Sequence, residues 1–299
     1  MTATTHLTRT DAPRSIMKFR RASDGGRTRL IVCLVIVAVY VIAAIVGPMI
    51  MQYDPVRTDL ANRLLSPWSH RADGSLVPLG TDQVGHDLLG QLFMGARVSM
   101  VAGLATLVLA GLIGVTLGLL AGFFGGWVDS VVMRIADVQL AFPALLLAIL
   151  LAAVLGPSIV NVIVVLSVAN WVTFARVTRG QVLSLKNREF VQATRTIGAR
   201  TPYLMVRTIL PSCLAPLLVV GTVGVGQVII AEASLSFLGL GTPASLPSWG
   251  LVIADGRDYL INAWWISTLP GVALAGLVLT LGIIGDTLRD RFDPKMRTL

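Results

Sequence analysis

The sequence is poor in charged residues, and it lacks the glycine- and lysine-containing loop that binds ATP phosphates. Only 13% of the 299 residues are Asp, Glu, Lys or Arg, against about 25% in ordinary soluble domains. Lysine occurs only at positions 18, 186 and 295, and never after a glycine. A P-loop needs a Gly-Lys-Ser or Gly-Lys-Thr ending to bind phosphates. We therefore expect no catalytic site and no bound cofactor, so uphill transport would need a partner or an ion gradient.

Histidine and cysteine are also scarce. The three histidines, at positions 6, 70 and 86, are scattered and form no His-Glu-x-x-His motif, so we expect no metal site. Cys33 and Cys213 lie in or beside separate apolar runs, where a buried free thiol is the favoured interpretation. No nucleophile–base pair is available for an intramembrane enzyme.

Long apolar runs are abundant. Hydrophobic residues make up 55% of the chain and the mean hydropathy is +0.78, which indicates a polytopic membrane protein. Runs of about 20 residues are long enough to cross a bilayer as a helix. The predicted fold is all-α with six transmembrane helices, near residues 30–51, 98–124, 138–155, 158–177, 212–233 and 267–285. Gly156-Pro157 separates the third helix from the fourth.

Basic residues predict the orientation of these helices. The net charge of +8 is carried between the apolar runs and not on one module, so nucleic-acid binding is not indicated. Residues 1–29 form a basic leader, residues 289–299 a basic tail, and the loop after the fourth helix carries seven basic residues. The positive-inside rule places these three segments in the cytoplasm. Residues 52–97 and 234–266 then lie outside, with Trp249, Trp264 and Trp265 expected at the outer interface.

Two helices carry further signals. Gly111, Gly114 and Gly118 share one face of the second helix, which favours close helix contact within the subunit or across a dimer seam. Glu232 is the one carboxyl group in or next to a predicted span. An acid there favours a functional role such as gating, although its place near the helix end also suits a packing partner.

The segment 187–211 is polar and basic although it lies between two apolar runs. It is predicted to form two short helices, with Asn187 as the first N-cap and Glu189 in the first turn, where the helix dipole favours an acid. A narrow apolar stripe follows the spacing i, i+3, i+4, i+7 through Phe190, Ala193, Thr194 and Ile197. Such a stripe suits docking into a groove on a partner, although a solvated connector would look the same.

Glycine and proline residues predict where the two short helices of this segment end and begin. Gly198 can close the first helix with a positive φ, which costs a residue with a Cβ more than it costs glycine. Thr201 is the predicted N-cap of the second helix, with Pro202 at its first position. Pro211 predicts a second bend before the next apolar run.

The segment resembles the EAA loop of bacterial ABC-importer permeases. Gln192-Ala193-Thr194 stands at the Glu-Ala-Ala-like triplet, Gly198 at its glycine, and Ile209-Leu210-Pro211 at the later Ile-Leu-Pro. The resemblance implies that 187–211 is the coupling helix, which docks on the ATP-binding subunit. Gln192 replaces the usual acid, and Glu189, one turn earlier, could stand in for it.

Two further stretches are similar to the C-type permeases of the dipeptide, oligopeptide and nickel group. The first is a turn leading into an amphipathic helix, with Asp and His residues that favour helix capping over a metal site. It contains Gly80, Thr81, Asp82, Gly85 and Asp87, and ends at Arg97. The second comprises the run Ala231–Gly241 and the pair Trp249-Gly250.

This resemblance implies a multi-pass subunit of a bacterial inner-membrane importer, with peptides as the expected cargo. Its implied partners are a homologous B-type permease, one or two ATP-binding subunits that use ATP and magnesium, and an extracytoplasmic solute-binding protein. The alternatives are import of nickel or another small solute, and an ion-coupled secondary transporter. A secondary transporter usually shows intramembrane charges and an internal repeat, and only Glu232 is present here.

Overall fold

A computed structural model describes residues 23–51, 54 and 57–292, and these are mainly helical, as predicted. The basic leader up to residue 22 and the tail from residue 293 lie outside the described residues. The helices are α1 (Ser23–Ile50), α2 (Leu88–Phe124), α3 (Gly126–Leu140), α4 (Ala144–Leu155), α5 (Ile159–Leu185), α6 (Glu189–Thr196), α7 (Thr201–Tyr203), α8 (Leu210–Phe237), α9 (Trp249–Gly256) and α10 (Trp265–Phe292).

Smaller elements complete the described chain. A π-helix, Leu204–Ile209, joins α7 to α8, and single 3-10 turns span Leu60–Asn62 and Arg257–Tyr259. Two short antiparallel strands, β1 (Ser69–His70) and β2 (Leu76–Val77), form a hairpin with Ser69 opposite Val77.

Five helical segments in the described part of the chain are long and apolar enough to cross a membrane. They are Thr28–Ile50, Leu88–Phe124, Ile159–Leu185, Thr201–Phe237 and Trp265–Arg291. Most extend beyond the predicted apolar runs, because a helix continues into water where polar side chains and caps support it. The helix α2, for example, starts ten residues before the predicted span, at a side-chain cap from Asp87.

The third predicted span differs from the structure. Residues 125–137 lie between the second and third predicted spans, yet Asp129, Arg134 and Asp137 of this stretch are in α3. The helix then breaks before Pro143, and α4 continues at an angle of 87° to α3. Proline lacks a backbone N–H and disfavours the helical conformation of the residue before it, so the apolar run is divided here.

Charged side chains attach α3 to α5. The Arg179 guanidinium forms a bidentate ion pair with the Asp129 carboxyl, and Arg176 Nη2 lies 2.5 Å from Asp137 Oδ1. Gln139 connects the same two helices: its Oε1 accepts from Trp171 Nε1 at 2.7 Å, and its Nε2 donates to the Val168 carbonyl at 2.7 Å. These contacts pair Asp129, Asp137 and Gln139 of α3 with side chains and backbone of α5.

The helices α2 and α5 pack closely and run in the same direction. A Cβ on Gly114 would lie 2.3 Å from the Trp171 carbonyl oxygen, and one on Gly118 would lie 2.3 Å from that of Ala175. The glycine face therefore serves contact within the subunit, which decides between the two predicted alternatives. Because the paired residues advance together along both chains, the helices are parallel.

The helix α8 runs antiparallel to α2. Ser99 near the start of α2 contacts Glu232 near the end of α8, whereas Leu107 lies beside Gly221, about three turns earlier in α8. The starts of α2 and α5 and the end of α8 therefore lie at one end of the bundle, together with the 57–87 segment. The segment 187–211 lies at the opposite end.

Candidate functional site

The first short helix of 187–211, α6, is attached to the bundle along one face. Val191 is only 4% exposed and packs in a core cluster with Leu119 of α2, Val182 of α5 and Leu204. Below it, Lys186 Nζ donates to the Gly122 carbonyl at 3.1 Å. The orientation of α6 is therefore coupled to the ends of α2, α5 and α8 that lie nearest to it.

The predicted apolar stripe lies on the exposed side of α6. Phe190 is 45% exposed and Ile197 is 87% exposed, and Ala193 between them is exposed as well. Thr194 is half-buried, and its hydroxyl donates to the Phe190 carbonyl at 2.7 Å. Most of the stripe thus faces away from the subunit, where a partner could contact it.

The start of α6 differs from the prediction. Arg188, and not Asn187, is the N-cap residue, and no side chain caps this helix. Asn187 instead belongs to the turn that closes α5, where the Arg188 N–H donates to the Leu185 carbonyl at 2.9 Å. Glu189 lies in the first turn as expected. It is exposed, as is Gln192.

The end of α6 follows the prediction. Gly198 has φ of +90°, and its N–H donates to the Arg195 carbonyl at 3.0 Å. The Ala199 N–H donates to the Thr194 carbonyl at 3.3 Å, which completes a Schellman motif. No atom lies within 4 Å of a Cβ built on Gly198, so a substitution there would act through the backbone conformation alone.

The second half of the segment is continuous with α8. Arg200, and not Thr201, precedes α7, which places Pro202 one position later than predicted. The chain then passes through the π-helix into α8, and the Leu210 N–H donates to the Met205 carbonyl. The helix is therefore not interrupted at Pro211, and the bend predicted there stays a prediction. The wider turn accommodates the missing proline N–H, and Thr201–Phe237 continues as one helical span.

Residues 57–87, which contain the turn of the first C-type stretch, form a compact cap over the opposite end of the bundle. The Asp82 carboxyl, 4% exposed, accepts hydrogen bonds from the Val84 and His86 N–H groups at 2.9 and 2.8 Å, and contacts His86 Nδ1 at 3.1 Å. Gln91 Nε2 of α2 donates to the same carboxyl at 2.5 Å. Asp82 thus organises the turn, and the described residues contain no cluster of three or more His, Cys, Asp or Glu placed to hold a metal.

The other residues of this stretch also have structural contacts. Asp87 caps α2 by accepting from the Leu89 N–H at 2.9 Å. The Thr81 hydroxyl donates to the Asn62 carbonyl at 2.6 Å. Gly80 and Gly85 have φ of +83° and +88° and lie against neighbouring backbone. Arg97 lies apart from the cap, exposed beside an apolar groove between α1 and α2.

Two of the three tryptophans predicted at the outer interface are buried in the protein. Trp249 is 1% exposed and its Nε1 donates to the Leu92 carbonyl at 3.0 Å. Trp265 is 6% exposed and its Nε1 donates to the Thr81 carbonyl at 3.2 Å. Neither ring can therefore contact lipid headgroups, whereas Trp264 is 51% exposed. Both buried indole N–H groups donate hydrogen bonds to backbone carbonyls.

Asp255 of α9 has an exposed side chain near the 57–87 segment. Desolvation by neighbouring residues, followed by the nearby Asp82 carboxyl, raises the pKa of Asp255, against smaller opposing effects of Arg257 and His86.

Glu232 connects α2, α8 and the loop before α9, at the end of the bundle that carries the 57–87 segment. Its side chain is completely buried, with Oε2 accepting from Ser99 Oγ of α2 at 2.9 Å and Oε1 accepting from Ser236 Oγ of α8 at 2.7 Å. Ser248 hydrogen-bonds the same carboxyl, and its Oγ also accepts from the Leu251 N–H as the N-cap of α9. These contacts are those expected of a helix-packing partner, and a role of Glu232 in gating stays a prediction.

A cavity of about 660 Å³ lies between α2, α5, α8 and α10. It extends from the middle of the bundle toward the end that carries 187–211, and Asp286 and Arg289 of α10 stand at that end. Sequence reasoning did not identify it, because its lining comes from four helices. The polar residues Asn170 and Gln227, isolated in apolar runs, were the available signal.

The sequence of this chain is similar to those of known membrane proteins. Residues 114–298 match the family described as binding-protein-dependent transport system inner membrane component, and residues 29–67 match the N-terminal transmembrane domain of oligopeptide transport permease C. The di/tripeptide transport system permease protein DppC of Pseudomonas aeruginosa is 39% identical, over 88% of this chain and 87% of its own length. The oligopeptide transport system permease protein OppC of Bacillus subtilis is also 39% identical, over 88% and 85%.

The fold has a relative among solved structures. A chain of the inward-facing MetNI methionine ABC transporter superposes with a TM-score of 0.55 and 18% identity, covering 68% of this chain and 97% of its own. At this identity the likeness concerns the fold alone. Together the matches establish a multi-pass protein of the bacterial inner membrane.

Proposed function

This chain belongs to the family of binding-protein-dependent transport system inner membrane components, and on that basis we propose that it is a permease subunit of an ATP-driven importer of di- or oligopeptides. It would supply half of the translocation pathway. A homologous permease, one or two ATP-binding subunits and an extracytoplasmic solute-binding protein would complete the complex. The chain itself would neither bind nor hydrolyse ATP.

The observation that carries this proposal is that α6 has one face buried against the bundle and one face exposed. On the face toward the bundle, Val191 packs in the core formed with α2, α5 and α8. Phe190, Ala193 and Ile197 are exposed on the opposite side. A short amphipathic helix with an unpartnered apolar face suits a groove on another protein. Movement of that protein would then be transmitted through Val191 to the transmembrane helices.

Substitutions on the exposed face test this coupling. Ala193→Asp places a charge on the docking face, and Gly198→Val strains the helix end by roughly 1 kcal/mol or more, because valine disfavours a positive φ. Both should lower peptide uptake and binding-protein-stimulated ATP hydrolysis at least tenfold, with normal membrane insertion and normal pairing with the second permease.

Gln192→Glu is the matched control, because it restores the acid usual in EAA loops on an exposed position of the same helix. It should transport at the wild-type rate. Wild-type uptake by both Ala193→Asp and Gly198→Val, at equal expression, would show that 187–211 is a passive connector.

A further inference from the structure

Three uncharged polar side chains meet in the cavity between the transmembrane helices. Asn170 and Thr173 come from α5 and Gln227 comes from α8, and all three line the same space. Asn170 and Thr173 are one turn apart in α5, so both can face the same side of that helix.

Gln227 is the most informative of the three. It lies ten residues before the end of the long span Thr201–Phe237, yet its side chain is exposed. Its amide forms no hydrogen bond with any other residue in the part of the chain that the structure describes. A primary amide facing hydrocarbon would lose its hydrogen bonds to water without replacement, which is strongly unfavourable. Gln227 therefore faces water, a polar ligand or a polar group of the second permease, and its place in the cavity favours the first two.

The neighbouring groups extend the same hydrogen-bonding surface. Asn170 Nδ2 donates to the Leu166 carbonyl at 2.8 Å, which leaves Oδ1 as an acceptor. Thr173 is exposed and carries a hydroxyl that can donate or accept. The set thus offers both donors and acceptors but no formal charge. Among the lining residues charge occurs only at Asp286 and Arg289, at the inner end.

We propose that Gln227, with Asn170 and Thr173, forms a cargo-binding site that contacts the main-chain amides of a peptide and does not discriminate between the charges of its side chains. A peptide group has one N–H donor and one C=O acceptor, which match a carboxamide and a hydroxyl. This inference rests on the proposed function, since it assigns part of the permease cavity to the cargo.

Uptake of three dipeptides of different charge tests the site in the assembled complex. Gln227→Leu should lower the uptake of Ala-Ala, Lys-Ala and Glu-Ala at least tenfold and by a similar factor. Gln227→Glu should instead change selectivity, favouring Lys-Ala over Glu-Ala at least tenfold relative to the wild type. Because the binding protein is the same throughout, a changed ratio reports on the membrane subunit.

Leu218→Ala is the matched control. Leu218 is 58% exposed on another face of α8, outside this cavity, so uptake of all three dipeptides should remain unchanged.

Thiol labelling gives a readout independent of transport. In a variant lacking Cys33 and Cys213, Gln227→Cys should react with a membrane-impermeant thiol reagent in inside-out vesicles, whereas Leu218→Cys should not. An unreactive Gln227→Cys, or wild-type uptake of all three dipeptides by Gln227→Leu, would overturn the inference. Unchanged charge selectivity in Gln227→Glu would also overturn it. If the wild-type complex imports neither these dipeptides nor any oligopeptide, the proposed function itself is contradicted.

Discussion

Glu232 shows how one buried side chain can connect elements that are far apart in the chain. The Ser99 hydroxyl that donates to it comes from a residue 133 positions earlier. Ser236 Oγ and Ser248 Oγ each donate to the carboxyl, and each also accepts a backbone N–H, from Thr242 at 3.3 Å and from Leu251 at 3.4 Å. The carboxyl therefore positions the loop before α9 as well as two helices.

Removal of this carboxyl should destabilise the outer end of the bundle. Glu232→Ala leaves three hydroxyls without their acceptor and creates a cavity, which should cost about 2 to 4 kcal/mol. We expect a lower thermal unfolding midpoint of the purified complex and reduced peptide uptake, with Glu232→Gln intermediate because its amide oxygen still accepts.

Ser234→Ala provides the control for this prediction. Ser234 is half-buried two residues away, and its hydroxyl bonds only locally, to the Ile230 carbonyl at 2.8 Å. Its replacement should shift the midpoint little. Equal midpoints for Glu232→Ala and Ser234→Ala would show that the serine–carboxyl network is energetically unimportant.

At the scale of the elements, the close packing of α2 against α5 depends on glycine. Gly114 and Gly118 bring the α2 backbone against the carbonyl groups of α5, and a Cβ at either position would overlap them. Gly111, on the same face, is different, because its nearest neighbour would be the Phe174 ring at 3.9 Å. Identical residues on one helix face therefore carry different packing roles.

Alanine substitutions should separate these roles. Gly118→Ala pushes α2 and α5 apart at backbone atoms that cannot rotate away, and should destabilise the protein by about 1 to 3 kcal/mol. Gly111→Ala meets only an ordinary contact and gains helix propensity, so it should be neutral or slightly stabilising. Thermal unfolding of the two variants in one detergent measures the difference. A Gly118→Ala variant as stable as Gly111→Ala would contradict the packing described here.

At the scale of the whole molecule, helix direction determines how often the chain crosses the membrane. Because α2 and α5 are parallel and lie side by side, the chain between them must return across the same thickness. Only the bent pair α3–α4 is available for this crossing. We therefore propose six crossings, with 187–211 in the cytoplasm and the 57–87 cap outside, in agreement with the positive-inside rule.

Thiol accessibility in intact cells tests this topology. In a variant lacking Cys33 and Cys213, His70→Cys in the cap and Ile261→Cys, at a position that is 97% exposed, should react with an impermeant reagent. Arg195→Cys, exposed on α6, should react only after the membrane is permeabilised. Reaction of Arg195→Cys in intact cells would contradict the proposed orientation.

The sequence by itself determined the membrane class, the family resemblance and the local end of α6. Hydropathy and charge are properties of contiguous residues, so apolar runs and basic loops can be recognised without a structure. The positive φ of Gly198 is similarly local, since it follows from the residue type at a helix end.

Tertiary structure decided which side chains meet. The burial of Glu232, Trp249 and Trp265, and the meeting of Asn170 with Gln227 in one cavity, depend on contacts between helices distant in sequence. The break before Pro143 had a local signal, but the 87° angle between α3 and α4 is fixed by neighbours such as Arg176 and Arg179 of α5. Hydrophobic patterning specifies that a helix enters the membrane, whereas its neighbours and the polar groups it must satisfy determine what each face of that helix does.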